Sequence, residues 1–153
     1  MPIKKLKDHL DSQKIKYVTI CHSPAFTAME VAESSHVPGR ELAKTVMVKL
    51  DGRMAMAVLP STLKVDLNLL RESAGAEEAM LATEAEFKSL FTDCETGAMP
   101  PFGNLYGMDV YVSPSLAEDD QIAFNAGSHT EIIKLSYEDF ARLVQPKVAS
   151  FTT

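Results

Sequence analysis

The chain has 153 residues, 46% of them hydrophobic, and a formal net charge of −6. That length suits one domain, 1–153, with a sizeable core, and the negative balance excludes a protein that grips long DNA or RNA by neutralising phosphates. No apolar run approaches the ~20 residues that span a bilayer, residues 1–16 lack the apolar centre of a secretion signal, and two isolated cysteines, Cys21 and Cys94, fit a reducing cytoplasm.

Apolar Ile3, Leu6 and Leu10, with lysines between, predict a short amphipathic helix over 3–13. Tyr17 to Cys21 is β-rich and predicts a strand with Cys21 as a core thiol and His22 as a surface or capping side chain. Thr27-Ala28-Met29-Glu30 matches a capping box, so a helix runs over 28–35 until Pro38-Gly39 breaks it; Thr27 either caps that helix or faces a ligand. Residues 43–50 and 53–59 alternate around Asp51-Gly52 and predict a hairpin. Lys44 shares a strand face with Val46 and Val48. It either snorkels to water or is held at a pocket mouth to meet a phosphate or carboxylate.

Asp66 caps a helix closed by Gly75. A short apolar strand over 78–82 and a second capping box at Thr83 follow, with a helix through Phe91. Gly97-Ala98-Met99-Pro100-Pro101-Phe102-Gly103 cannot be helix interior or central strand, because each proline lacks a backbone donor. It is a stiff loop: either a rigid turn, or a device that aims the Gly97 and Ala98 N–H groups at a developing anion. Strands are predicted over 108–112, 121–126 and 130–135, with a break at Ser113-Pro114-Ser115. Ser136 caps a last helix through Val144, and the tail 148–153 frays. Strands arrive in neighbouring pairs rather than strict βαβ alternation. The fold class is therefore α+β, a mixed, largely antiparallel sheet that can curl into a barrel with flanking helices.

Phosphate-loop, dinucleotide and zinc-protease motifs are absent, as is a serine elbow. His9, His22, His36 and His129 lack ligand spacing, so no metal is expected. Cys94 is either an inert packed thiol or a nucleophile.

Three pieces then stand in order: Ala43-Lys44-Thr45-Val46, the Gly97-x-x-x-Pro101-Phe102-Gly103 loop, and Phe124-Asn125-Ala126-Gly127-Ser128-His129. With the Thr27 helix start, this set resembles the YbaK family, which includes the inserted editing domain of bacterial prolyl-tRNA synthetases and free-standing trans-editing proteins. The likeness covers residues 17–144. It implies an aminoacyl-tRNA deacylase, without metal or other cofactor, that clears a small wrong amino acid from tRNA for proline. The implied partners are the acceptor end of aminoacyl-tRNA and, beyond it, a synthetase. It implies that Lys44, Gly97, Ala98 and His129 carry the chemistry. Thr27, Thr45, Met99, Pro101 and Phe102 would line the substrate's place, joined by Gly103, Gly127 and Ser128. Thr45 stands where some relatives carry asparagine. Two other readings remain open on the residues: a non-catalytic module that binds a tRNA end or nucleotide, and an esterase indifferent to tRNA.

Overall fold

The computed structural model describes residues 4–23, 25, 28–95 and 97–153, with Ala28, Met29 and Ser34 described in backbone only. The proposed capping box at Thr27 lies outside the described residues. In chain order the elements are α1 (Lys4–Ser12), β1 (Tyr17–Cys21), α2 (Ala28–Ser35), β2 (Leu42–Leu50), β3 (Arg53–Pro60), α3 (Leu67–Ala74) and β4 (Ala79–Leu81). They continue with α4 (Glu84–Phe87), β5 (Asp109–Val112), α5 (Pro114–Ala117), β6 (Gln121–Asn125), β7 (Glu131–Ser136), α6 (Tyr137–Val144) and β8 (Lys147–Val148).

The β2–β3 hairpin turns on Asp51 and Gly52, both with positive φ (51° and 81°), which matches the right-handed twist of the flanking strands. Asp51 also anchors the approach to β4, since its Oδ1 accepts from the Glu77 and Glu78 N–H groups at 2.9 and 2.8 Å.

The strands order as β1-β7-β6-β2-β3-β5-β8, with β4 added alongside β2. Most of the paired length is antiparallel, while β2–β6, β3–β5 and β5–β8 are parallel. The mixed α+β expectation holds, but the barrel does not: the path ends at β1 and β8 and never closes. A barrel needs an unbroken ladder around its wall. Here β2 breaks it. On the side away from β3, β2 pairs with β6 only at Leu42 and Ala43, then with β4 at Val48 to Leu50. Among the described residues Lys44, Thr45 and Val46 have no strand partner on that side, and the sheet is split there.

Alternation along β2 sends its residues to different cores. Ala43 and Met47 enter the main core with Phe102, Phe124 and Phe140. On the other face, Leu42 joins a small cluster with Val31, Val37, Ala123 and Ile132. Further along that face, Val46, Val48 and Leu50 join a third cluster with Leu59, Leu70 and Phe151.

Four local expectations need correction. Cys21 is exposed rather than a core thiol, because β1 is an edge strand that turns mainly Tyr17 and Ile20 inward. The helix after Thr83 tightens at Lys88 into a 3₁₀ turn instead of running on to Phe91. Ser113-Pro114 opens α5 rather than only breaking the chain, since proline at the first helical position costs no hydrogen bond. The tail does not fray: Phe151 is fully buried, its carbonyl accepts from the Asp66 N–H at 2.7 Å, and Thr152 bridges to Val65.

Candidate functional site

Two of the proposed residues, Lys44 and Thr45, lie at the split in the sheet. Lys44 is the first residue of β2 past its last pair with β6. It lies on the face of Leu42 and Val46, at the seam between the second and third clusters. Among the described residues its ammonium makes no ion pair. Its pKa is lowered, first by burial and second by the Lys64 ammonium. A half-buried cation whose neighbour is another cation is arranged for an anion supplied from outside. Thr45 points to the opposite face, with Ala43 and Met47.

The late glycine-histidine element and the proline loop interlock. Glu95 N–H donates to the Gly127 carbonyl at 2.7 Å, and Gly127 N–H donates to the Ala98 carbonyl at 3.0 Å. His129 N–H donates to Glu95 Oε2 at 2.8 Å, and the same carboxylate oxygen lies 3.8 Å from the His129 ring Nε2. Gly97 has φ of +88°, a left-handed angle that favours glycine. A Cβ there would sit 3.6 Å from His129 Cε1, so the loop backbone and the imidazole adjoin directly. Chain continuity leads from this cluster toward β2: β6, which pairs in parallel with β2 at Leu42 and Ala43, ends at Asn125, two residues before Gly127.

The two amides proposed as anion donors differ. Ala98 is buried and its N–H donates to the Glu95 carbonyl at 3.0 Å, closing the turn. It is not available to a ligand. Gly97 is exposed and its N–H meets only the Met99 sulfur, at 3.3 Å. Thioether sulfur is a weak acceptor, so this donor is readily redirected.

The rest of the loop supports from below. Met99, Pro101, Phe102 and Gly103 are buried, and Phe102 packs against Phe124 and Phe140 at centroid distances of 5.5 and 5.6 Å. A Cβ on Gly103 would come within 2.8 Å of Val110 Cγ2 and 3.0 Å of the Met108 carbonyl. These side chains fix the loop in the core. Ser128 is spent locally, its Oγ 3.3 Å from Thr130 Oγ1. Thr27 lies outside the described residues.

Glu95, which accepts from the His129 N–H, and Asn125, which ends β6 two residues before Gly127, were not singled out by sequence. Glu95 reads as a solvated turn residue; its spacing of two before Gly97 was the available signal. Asn125 lies inside a motif whose glycine and histidine drew the attention. Burial pushes the Cys94 thiol up to about 12, which keeps it protonated near neutrality and favours the packed-thiol reading. Among the described residues no group of three or more His, Cys, Asp or Glu side chains could hold a metal ion.

Residues 22–143 match the family described as the aminoacyl-tRNA editing domain. The chain belongs to that family. The multifunctional Ser/Thr-tRNA deacylase ProXp-y of Escherichia coli strain K12 is 34% identical over 114 residues, 71% of this chain and 68% of that protein. The prolyl-tRNA editing protein ProX of Acetoanaerobium sticklandii is 25% identical over 148 residues, 93% and 90% of the two chains. A solved structure described as a candidate trans-editing enzyme for prolyl tRNA synthetase superposes with a TM-score of 0.84. It is 16% identical and covers 99% of this chain and 96% of that one; it speaks to the editing-domain fold alone. No helix among the described residues is long and apolar enough to cross a membrane.

Proposed function

We propose that this editing domain is a trans-acting aminoacyl-tRNA deacylase that removes a small, wrongly attached amino acid, with tRNA for proline as the carrier. Family membership supports the aminoacyl-tRNA ester as substrate class. The Lys44 ammonium at the split in the sheet, which makes no ion pair among the described residues, is the observation that carries the reading.

The chemistry needs little machinery. An aminoacyl ester is an activated acyl group, so positioning and oxyanion stabilisation suffice. Lys44 binds a phosphate of the 3′-terminal nucleotides and orients the acceptor end. Water adds to the ester carbonyl, and the Gly97 N–H turns from the Met99 sulfur to the oxyanion. His129, held against Gly97 by Glu95, orients that water. The tetrahedral intermediate collapses, the acyl–oxygen bond breaks, and the ribose oxygen leaves with a proton. A site that grips only the acceptor end needs few phosphate contacts, which fits a chain of net charge −6. A synthetase that hands over the charged tRNA, and the cytoplasm as the place of action, complete the proposal.

The test is deacylation of a panel of tRNAs mischarged with alanine, serine, cysteine or threonine. The expected result is turnover of one or two small esters, reduced at least tenfold by Lys44→Ala. A folded protein that binds acceptor ends yet turns over none of the panel is instead a binding module.

A further inference from the structure

We infer that Asn125 is a substrate-positioning residue, whose side-chain amide accepts a hydrogen bond from the aminoacylated ribose end. The inference rests on the deacylase reading and adds a contact to its site. Asn125 ends β6, and its Oδ1 is buried with no hydrogen-bond partner among the described residues. Its strand partner on β7 is Ile132. Alternation places it on the face of Ala123, which packs with Ile132 and Leu42. Leucine or methionine there would pack against those neighbours at no polar cost. A buried acceptor left unmade is costly, and native structures rarely retain one without use.

The register says what the amide faces. Leu42 pairs with Ala123 and Ala43 with Phe124 in parallel. Continuing that register sets Asn125 beside Lys44, on the same face, where the two strands part. Crevices between diverging parallel strands are favoured places for ligands. Two residues further on, Gly127 enters the interlock that holds His129. By register on one side and chain order on the other, Asn125 belongs to the stretch that links the proposed phosphate cation to the proposed ester loop. Two donors of the substrate reach such a place: the α-ammonium of the amino acid and the free hydroxyl of the terminal ribose.

The experiment measures binding, so it does not depend on turnover. The probe is a short acceptor-stem RNA hairpin carrying alanine through a stable amide at its terminal ribose. Its N-acetyl and deoxyribose-ended forms are titrated by fluorescence anisotropy against wild type, Asn125→Leu and Asn125→Asp. Thermal melts confirm that each variant is folded. We expect Asn125→Leu to weaken the parent probe about tenfold, the scale of one well-formed hydrogen bond. One modified probe binds wild type about tenfold more weakly and loses that difference in Asn125→Leu; which probe does so names the donor. Asn125→Asp, which keeps the acceptor, retains the difference. The inference is overturned if Asn125→Leu binds like wild type, if both modified probes lose affinity equally in wild type and Asn125→Leu, or if wild type binds no probe. Failure of the deacylase reading has a different signature: intact binding and coupling with no hydrolysis of any ester.

Discussion

Lys44→Met separates function from stability, and the structure predicts opposite signs for the two. Methionine keeps the apolar stem that packs at the seam and removes only the ammonium. Among the described residues that ammonium has no anionic partner, so no ion pair seen there is lost. Burial and Lys64 both lower its pKa from 10.5, so the charged form is disfavoured in the folded state. A depressed lysine pKa means the unfolded chain binds the proton more tightly. The penalty is present below the folded pKa and vanishes only above the unfolded one. At neutral pH the variant should therefore melt no lower than wild type. Activity should move the other way. Loss of one charge-assisted hydrogen bond to phosphate removes about 1.5–3 kcal/mol of substrate binding, or roughly 10- to 150-fold in kcat/KM. The salt dependence should also soften, since each phosphate contact to a single strand contributes a slope of about −0.7 in log K against log salt. The assay is kcat/KM for a mischarged tRNA at several salt concentrations, beside thermal melts of the same samples. An unchanged kcat/KM and slope, or a melting temperature several degrees lower, would refute the assignment and return Lys44 to a structural role.

Gly103→Ala should destabilise the fold by about 1–3 kcal/mol, because its Cβ collides with backbone as well as with a side chain and neither yields cheaply; that corresponds to a drop in melting temperature of roughly 2–4 °C per kcal/mol. Glu95→Gln keeps an acceptor for the His129 N–H and should retain most activity, whereas Glu95→Ala should lose about tenfold as the histidine segment is released; steady-state deacylation rates of the two variants separate a hydrogen bond from a charge. A thiol-selective alkylating reagent at pH 8 should label Cys21 and spare Cys94, read by mass spectrometry of the peptides. Cys94→Ala should keep full activity, since a thiol whose pKa burial raises is still protonated at that pH.

The local grammar of the chain was legible to a high degree. Capping residues, the Asp51-Gly52 turn and β-branched runs act over a few positions, so Tyr17–Cys21 and the β2–β3 hairpin could be read directly. Pairings between distant segments were not. Nothing local in Leu42 or Ala123 says that they lie side by side in parallel, and the split in β2 follows from that pairing. Phe151 shows the same limit: six tail residues look weakly apolar until the partner surface on α3 and β3 is known. At the site, glycine and proline advertised the loop's stiffness but not its hydrogen bonds. The Ala98 amide seemed free because it precedes no proline; the Glu95 carbonyl that consumes it is visible only once the turn closes. Glu95 and Asn125 are ordinary polar residues that only the folded chain distinguishes, Glu95 by its bond from the His129 N–H and Asn125 by its buried Oδ1.

The divided allegiance of β2 also orders the assembly of the molecule. Its pairing with β3 closes through a two-residue turn and can form early, whereas its two-residue pairing with β6 joins residues 42 and 123 across most of the chain. Loop-closure entropy makes such distant contacts late ones. The hairpin that carries Lys44 therefore forms before β6 joins it. On the proposed roles, the residue that takes the phosphate belongs to an early, local pairing and the residues that take the ester to a late, long-range one.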